Sequence, residues 1–143
     1  MEKRTKILFL CYGNSCRSIL AEALARHFRG DEWEACSAGL VPLGHVTPHT
    51  LEALEEAGIP SAGLHSKGFS DVPLEDIDYL VNLTDLKVGN MIPSSFSGRL
   101  ISYYVQDPYG RGIGAFRKAR DELERLVREK LPQMIAREKR PGG

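Results

Sequence analysis

A chain of 143 residues is long enough to bury a core without disulfides or a structural metal, and one domain spanning 1–143 is expected. Nineteen Lys plus Arg balance nineteen Asp plus Glu, so no overall field draws the chain to nucleic acid or a membrane, and any anion site has to be local. No apolar run approaches a membrane span, Met1 to Lys6 is charged unlike a signal peptide, and the cysteines number three, so a soluble cytoplasmic protein with free thiols is expected.

Lys6 to Leu10 is a short apolar run that reads as a strand ending near the turn-prone Gly13-Asn14. From Ser18 onward Leu20, Leu24, His27 and Phe28 recur at helical spacing. Glu32 to Ala38 reads as a second strand, with Gly30-Asp31 as the preceding turn and Gly39 at its end. Thr47-Pro48 supplies an N-cap and a first-turn proline for a helix carrying Leu51 and Leu54, which Gly58 closes. Asp71 to Ile77 is expected as a short helix, Asp78 to Leu83 as a buried parallel strand and Leu100 to Val105 as a fourth strand. Phe116, Leu123, Leu126, Val127, Met134 and Ile135 then follow a helical repeat that Pro132 should bend or end, and Arg137 to Gly143 should fray. Strands separated by helices predict an α/β fold, a three-layer sandwich with a four-stranded parallel sheet and helices on both faces. Ligands of such folds sit at the carboxyl ends of the strands.

The segment Cys11-Tyr-Gly-Asn-Ser-Cys-Arg17-Ser18 lies between the first strand and the first helix, where backbone N–H groups and the helix N-terminus can converge on an anion. Gly13 and Asn14 tolerate the left-handed conformations such a loop needs. Arg17 can add a planar pair of donors to phosphate oxygens. A thiolate at Cys11, in the mouth of this cup, is a nucleophile. The spacing alone is equally met by a buried structural Cys11 and a surface Arg17; the strand before and the helix after favour the chemical reading.

With its flanks, Cys11-x-Gly13-Asn14-x-Cys16-Arg17-Ser18-x-x-Ala21-Glu22 resembles the signature of low-molecular-weight protein tyrosine phosphatases. Ser37-Ala38-Gly39 resembles the family's motif after its second strand, and Asp107-Pro108-Tyr109-Gly110 its general-acid loop, so the resemblance covers nearly the whole chain. It implies Cys11 as nucleophile, Arg17 on the phosphate oxygens and Asp107 as the acid that protonates the leaving group. It further implies a phosphate-binding loop of Tyr12, Gly13, Asn14, Ser15 and Cys16, with Ser18 donating to the thiolate, Asn14 and Ser37 as braces, and His65 as a candidate for the same network. Tyr109 and Tyr12 would line the cleft, Ser15 and Tyr12 would tune which ester enters, and Leu43 is a candidate for the opposite wall. Cys16 is placed to trap an oxidised Cys11 as a disulfide, and Cys36 reads as a small core residue. No cofactor or metal is implied, and His27, His45, His49 and His65 are scattered. The expected partners are a phosphotyrosine protein or small aryl phosphate, and inorganic phosphate or other oxyanions as product or inhibitor, with no nucleic acid and no membrane.

The chain departs from that pattern in two places. Ile19 stands where the family usually has proline after Arg-Ser, and Gly110 stands where many members carry a second aromatic. The loop also resembles that of thioredoxin-coupled arsenate reductases, but Leu83-Thr-Asp-Leu-Lys87 holds neither of the two relay cysteines that group carries after its third strand. Arsenate reduction with a small thiol stays open as an alternative. A non-catalytic phosphate-binding module would have no need of Cys11 with Asp107, and a phosphocarrier gives no reason for Arg17.

Overall fold

The computed structural model describes residues 3–138. Four parallel strands, β1 (Thr5–Cys11), β2 (Trp33–Gly39), β3 (Tyr79–Asn82) and β4 (Arg99–Ser102), form one sheet in the order β2-β1-β3-β4. β1 is central because it can be buried on both faces: Ile7, Leu8, Phe9 and Leu10 are all inaccessible to solvent. Strand alternation divides them, Ile7 and Phe9 joining one packing layer and Leu8 and Leu10 the other.

The first layer is α-helical. Leu20, Ala21 and Leu24 of α1 (Arg17–Arg29), Ala53 and Leu54 of α2 (Pro48–Glu56), Phe116 and Leu123 of α3 (Ile113–Arg125) and Leu131 and Ile135 of α4 (Leu131–Glu138) pack there with Ile7, Phe9 and Val81. Of the expected α1 repeat, Leu20, Leu24 and Phe28 turn inward and His27 is exposed. The second layer consists of loops and 3-10 turns. Leu74, Ile77 and Val88 cover Leu8, Leu10 and Leu80, and no α-helix packs on that side among the described residues. The expected helix over 71–77 is resolved into two such turns, Phe69–Asp71 and Leu74–Asp76. Pro73 is the reason: it drives Val72 to an extended φ of −127° and ψ of 146°, which no continuous helix can cross.

Pro132 acts differently from a simple stop. It cannot donate to the carbonyl of Arg128, and the chain passes through a π-turn, Leu126–Lys130, before α4 resumes. The Arg29 guanidinium takes up the freed acceptors, its Nη2 donating to Arg128 O at 2.6 Å and its Nε to Val127 O at 3.4 Å. Thr47 stands at the N-cap of α2 with Pro48 after it, but its hydroxyl makes no capping bond and points to the Cys11–Arg17 loop. β4 is shorter than the expected 100–105, although Tyr103 and Val105 continue to donate to Asn82 and Leu83. Of the tail expected to fray, Arg137 and Glu138 complete α4, and 139–143 lie outside the described residues. No described helix is long and apolar enough to cross a membrane.

Candidate active site

β1 ends on Cys11, and α1 begins on Arg17, so the intervening five residues lie at the carboxyl edge of the sheet. Their carbonyls are engaged from one side. Leu40 N–H donates to Cys11 O at 3.1 Å, Val41 to Tyr12 at 2.8 Å, Leu43 to Gly13 at 2.8 Å, and Thr47 to Ser15 at 3.3 Å. The Thr50 hydroxyl adds a shorter bond to Ser15 O at 2.8 Å, and the Ser66 hydroxyl one to Gly13 O at 3.1 Å. In a trans peptide the N–H lies opposite its own C=O, so the following amides, Tyr12, Gly13, Asn14 and Cys16, face away from those donors. Those amides with the start of α1 form a cup of partial positive charge.

The backbone that allows this is specific. Asn14 takes the left-handed conformation expected of it, with φ 48°, whereas Gly13 does not. Gly39 is required for another reason, because a Cβ there would stand 2.8 Å from Asn14 N and 2.9 Å from Gly13 C. That close approach gives the Ser37-Ala38-Gly39 motif a physical role: β2 must let the loop lie against it. We expect Gly39→Ala to cost about 1–3 kcal/mol of stability through overpacking and to weaken inhibition by phosphate, as read by thermal melting and inhibition constants. Gly13→Ala, whose Cβ would meet nothing closer than 3.6 Å, is the control expected to melt like the wild type.

Arg17 is almost fully buried and its three nitrogens have different fates. Nη1 donates to Leu83 O at 3.2 Å and to Val105 O at 3.0 Å, anchoring the guanidinium beyond the ends of β3 and β4. Nη2 lies 3.7 Å from Asp107 Oδ2. Nε is buried and has no partner among the described residues. A buried donor left unmade costs about 1–3 kcal/mol, so the Nε–Nη2 edge is a fork set out for an anion. Asp107 is half-exposed, and the Tyr109 N–H holds its Oδ1 at 3.1 Å. The loop that carries Asp107 and the Cys11–Arg17 loop are thus tied together through one guanidinium.

Cys11, Tyr12, Gly13, Ser15, Cys16, Arg17, Asp107 and Tyr109 line one cavity of about 370 Å³, walled on the far side by Val41, Pro42 and Leu43. Cys11, at its floor, is 2 % exposed, and its sulfur lies 2.9 Å from Ser18 Oγ. Asn14 and Ser18 are fully buried behind the loop, where Asn14 Nδ2 donates to Ser18 Oγ at 2.6 Å. Ser37 lies further back and reaches the loop only indirectly, through Glu22 and Lys67. The His65 ring stands apart from this network, exposed and bonded to Gly63 O. Gly110 has φ 76°, a conformation in which a second aromatic side chain would be strained, and Tyr109 alone forms that wall. Sequence reading missed the roles of Lys67, Thr47 and Thr50. Glu22 belonged to the quoted motif, and its i,i+4 spacing to Arg26 was the available signal.

The three thiols are free and unequal. Burial pushes the Cys16 thiol up, against the lowering effect of the Ser15 and Thr47 hydroxyls, each 3.5 Å away. Cys36 is pushed up to about 11 by burial and by the nearby charge of Glu22, and its thiol contacts Ile7 O at 3.7 Å in the layer remote from the cavity. Cys16 is therefore a poor nucleophile on its own, yet it shares the cavity with Cys11. After mild peroxide we expect thiol to restore wild-type activity, whereas Cys16→Ser should progress to irreversible sulfur acids. Equal recovery of both would make Cys16 a packing residue.

The low molecular weight phosphotyrosine protein phosphatase model matches residues 6–140. An arsenate reductase of Bacillus cereus (strain 03BB102) is 32% identical over 129 residues, covering 90% of this chain and 95% of its own. Among solved structures, an arsenate reductase in the phosphate binding state superposes with a TM-score of 0.78 at 27% identity, covering 93% of this chain and 98% of its own. The YwlE arginine phosphatase, in a mutant with a phosphorylated active site serine, gives 0.78 at 30% identity over 92% and 96% of the two chains. With the family model matching residues 6–140 and a relative 32% identical over nearly the full length of both chains, the chain belongs to the low molecular weight phosphotyrosine protein phosphatase family.

Proposed function

We propose that the protein is a cysteine-dependent phosphatase that hydrolyses phosphotyrosine-type aryl phosphate monoesters through a phosphocysteine. The observation that carries this reading is the shared cavity: a sulfur and an unfilled arginine fork at the floor, a carboxyl group at the mouth, and Tyr12, Leu43 and Tyr109 as walls for a flat ring. In the first step the Cys11 sulfur bonds to phosphorus as the ester P–O bond breaks, and Asp107 gives its proton to the departing oxygen. The loop amides and the Nε–Nη2 edge of Arg17 hold the three equatorial oxygens while their charge redistributes. In the second step a water oxygen bonds to phosphorus, its proton passes to Asp107, and the S–P bond breaks to return the thiolate and inorganic phosphate.

A second substrate reading rests on the arginine phosphatase among the structural neighbours. A phosphorylated guanidinium is also flat, and the Asp107 carboxylate at the mouth would pair with its positive charge. Arsenate reduction requires two electrons, which Cys11 and Cys16 would supply by forming a disulfide that an external thiol must reopen. The turn after β3 carries no cysteine for a relay, being closed instead by Thr84 bonds to Asn82 Oδ1 at 2.7 and 3.0 Å. The test is a parallel assay of the purified protein on phosphotyrosine, on phosphoarginine, and on arsenate with thioredoxin or a small thiol. Preferential turnover of phosphotyrosine is expected; preference for phosphoarginine or arsenate overturns the aryl-ester assignment.

A further inference from the structure

Lys67 is buried, lies outside the cavity, and is the point where three parts of the scaffold meet behind the anion loop. Its backbone is stitched on both sides: the N–H donates to Asn14 Oδ1 at 2.8 Å, and the carbonyl accepts from Gly39 N–H at 2.9 Å. Its ammonium donates to His65 O at 3.1 Å and Ser37 Oγ at 3.3 Å, and lies 3.5 Å from Glu22 Oε1. Glu22, almost wholly buried on α1, also receives the Ser37 hydroxyl and Arg26. A buried carboxylate needs such compensation, and here it fixes residue 67 against α1 and β2 together.

The first of these bonds sets the direction of a chain that ends at the reacting sulfur. Because Asn14 Oδ1 takes the Lys67 N–H, Asn14 presents Nδ2 to Ser18. Nδ2 only donates, so Ser18 Oγ accepts from it and keeps its own proton for Cys11 Sγ at 2.9 Å. We infer that Lys67 is a positioning residue for Cys11: its ion pair with Glu22 holds the amide that orients Asn14, and through Asn14 makes Ser18 a donor to the sulfur. The other charged or titratable groups here are Arg17, Asp107, Cys16, Tyr12 and Tyr109, which line the cavity with Cys11, and Arg26 and Cys36 around Glu22. None of them sets which end of Asn14 faces Ser18.

The inference rests on Cys11 being the reacting group proposed above. Its test is the rate of Cys11 alkylation by iodoacetamide at neutral pH, located by peptide mass, which requires no turnover and so stands or falls apart from the phosphatase reading. Cys16 and Cys36 should interfere little, since burial pushes both thiols up. Lys67→Met should slow alkylation about tenfold or more, the lower end of the usual worth of a hydrogen bond to a charged group, and Lys67→Arg should largely restore it. In a Ser18→Ala background Lys67→Met should add no further slowing, because both variants cut one chain. Should Lys67→Met fail to fold by its melting curve, Glu22→Gln releases the same clamp from α1 and should show the same non-additivity with Ser18→Ala. An unchanged alkylation rate, or slowing that multiplies in the Ser18→Ala background, overturns the inference.

Discussion

Cys11→Ser is expected to lower kcat on aryl phosphates by about 10⁴-fold or more, while phosphate still binds. In the proposed mechanism the sulfur is the atom that bonds to phosphorus, and a serine hydroxyl in its place is a far weaker nucleophile at neutral pH. The anion site does not depend on it. The amides that follow the engaged carbonyls of Cys11, Tyr12, Gly13 and Ser15 and the fork of Arg17 remain, as do the bonds from Arg17 to Leu83 and Val105. Titration of the variant with inorganic phosphate should therefore give a dissociation constant close to the wild-type inhibition constant. Substantial remaining hydrolysis would contradict the covalent mechanism, and loss of phosphate binding would mean that the sulfur organises the cup.

Replacing Asp107 by Asn removes a proton without removing bulk, and the expected loss depends on the leaving group. A phenolate of high pKa needs a proton as its P–O bond breaks, whereas a nitrophenolate of low pKa departs with little help. Phosphotyrosine turnover should fall by about 10²–10⁴, the usual worth of a positioned acid or base. The nitrophenyl ester should lose less in kcat/KM, which reports the first chemical step when that step is irreversible. The two parameters must be separated, because the same residue is proposed to activate water in the second step, and kcat can fall for both esters. The variant also removes the charge 3.7 Å from Arg17 Nη2, so phosphate should bind no more weakly than before. Equal losses in kcat/KM for both esters would remove Asp107 from the acid role.

The parts of this site that sequence could expose are those whose logic is local. β1 announces itself as a continuous apolar run because it is buried on both faces, and Gly13-Asn14 marks the turn between it and α1. The grouping of Cys11, Arg17, Asp107 and Tyr109 came from motifs, and the four residues line one cavity. Long-range partners left no such mark. The acceptors of the Arg17 guanidinium are backbone carbonyls 66 and 88 residues away, and any residue type provides a carbonyl. Lys67 looks like an ordinary surface lysine in a loop until Glu22 is found buried opposite it. His65, the more conspicuous residue for a bracing role, lies two positions away and contributes only its carbonyl to Lys67. The π-turn before Pro132 was half legible: the proline gave the site of the irregularity, but not that Arg29 would satisfy the freed carbonyl and let the helix resume.

The central claim, that hydrolysis passes through a phosphorylated Cys11, is tested most directly by quenching the enzyme with acid during steady turnover of an aryl phosphate and mapping the peptides by mass. The account predicts one phosphoryl group, on the peptide that carries Cys11 and on its sulfur, at a higher level in Asp107→Asn wherever loss of the base slows the second step more than the first. Steady turnover with no phosphoryl group on Cys11 in either protein, or with the group on another residue, would contradict it.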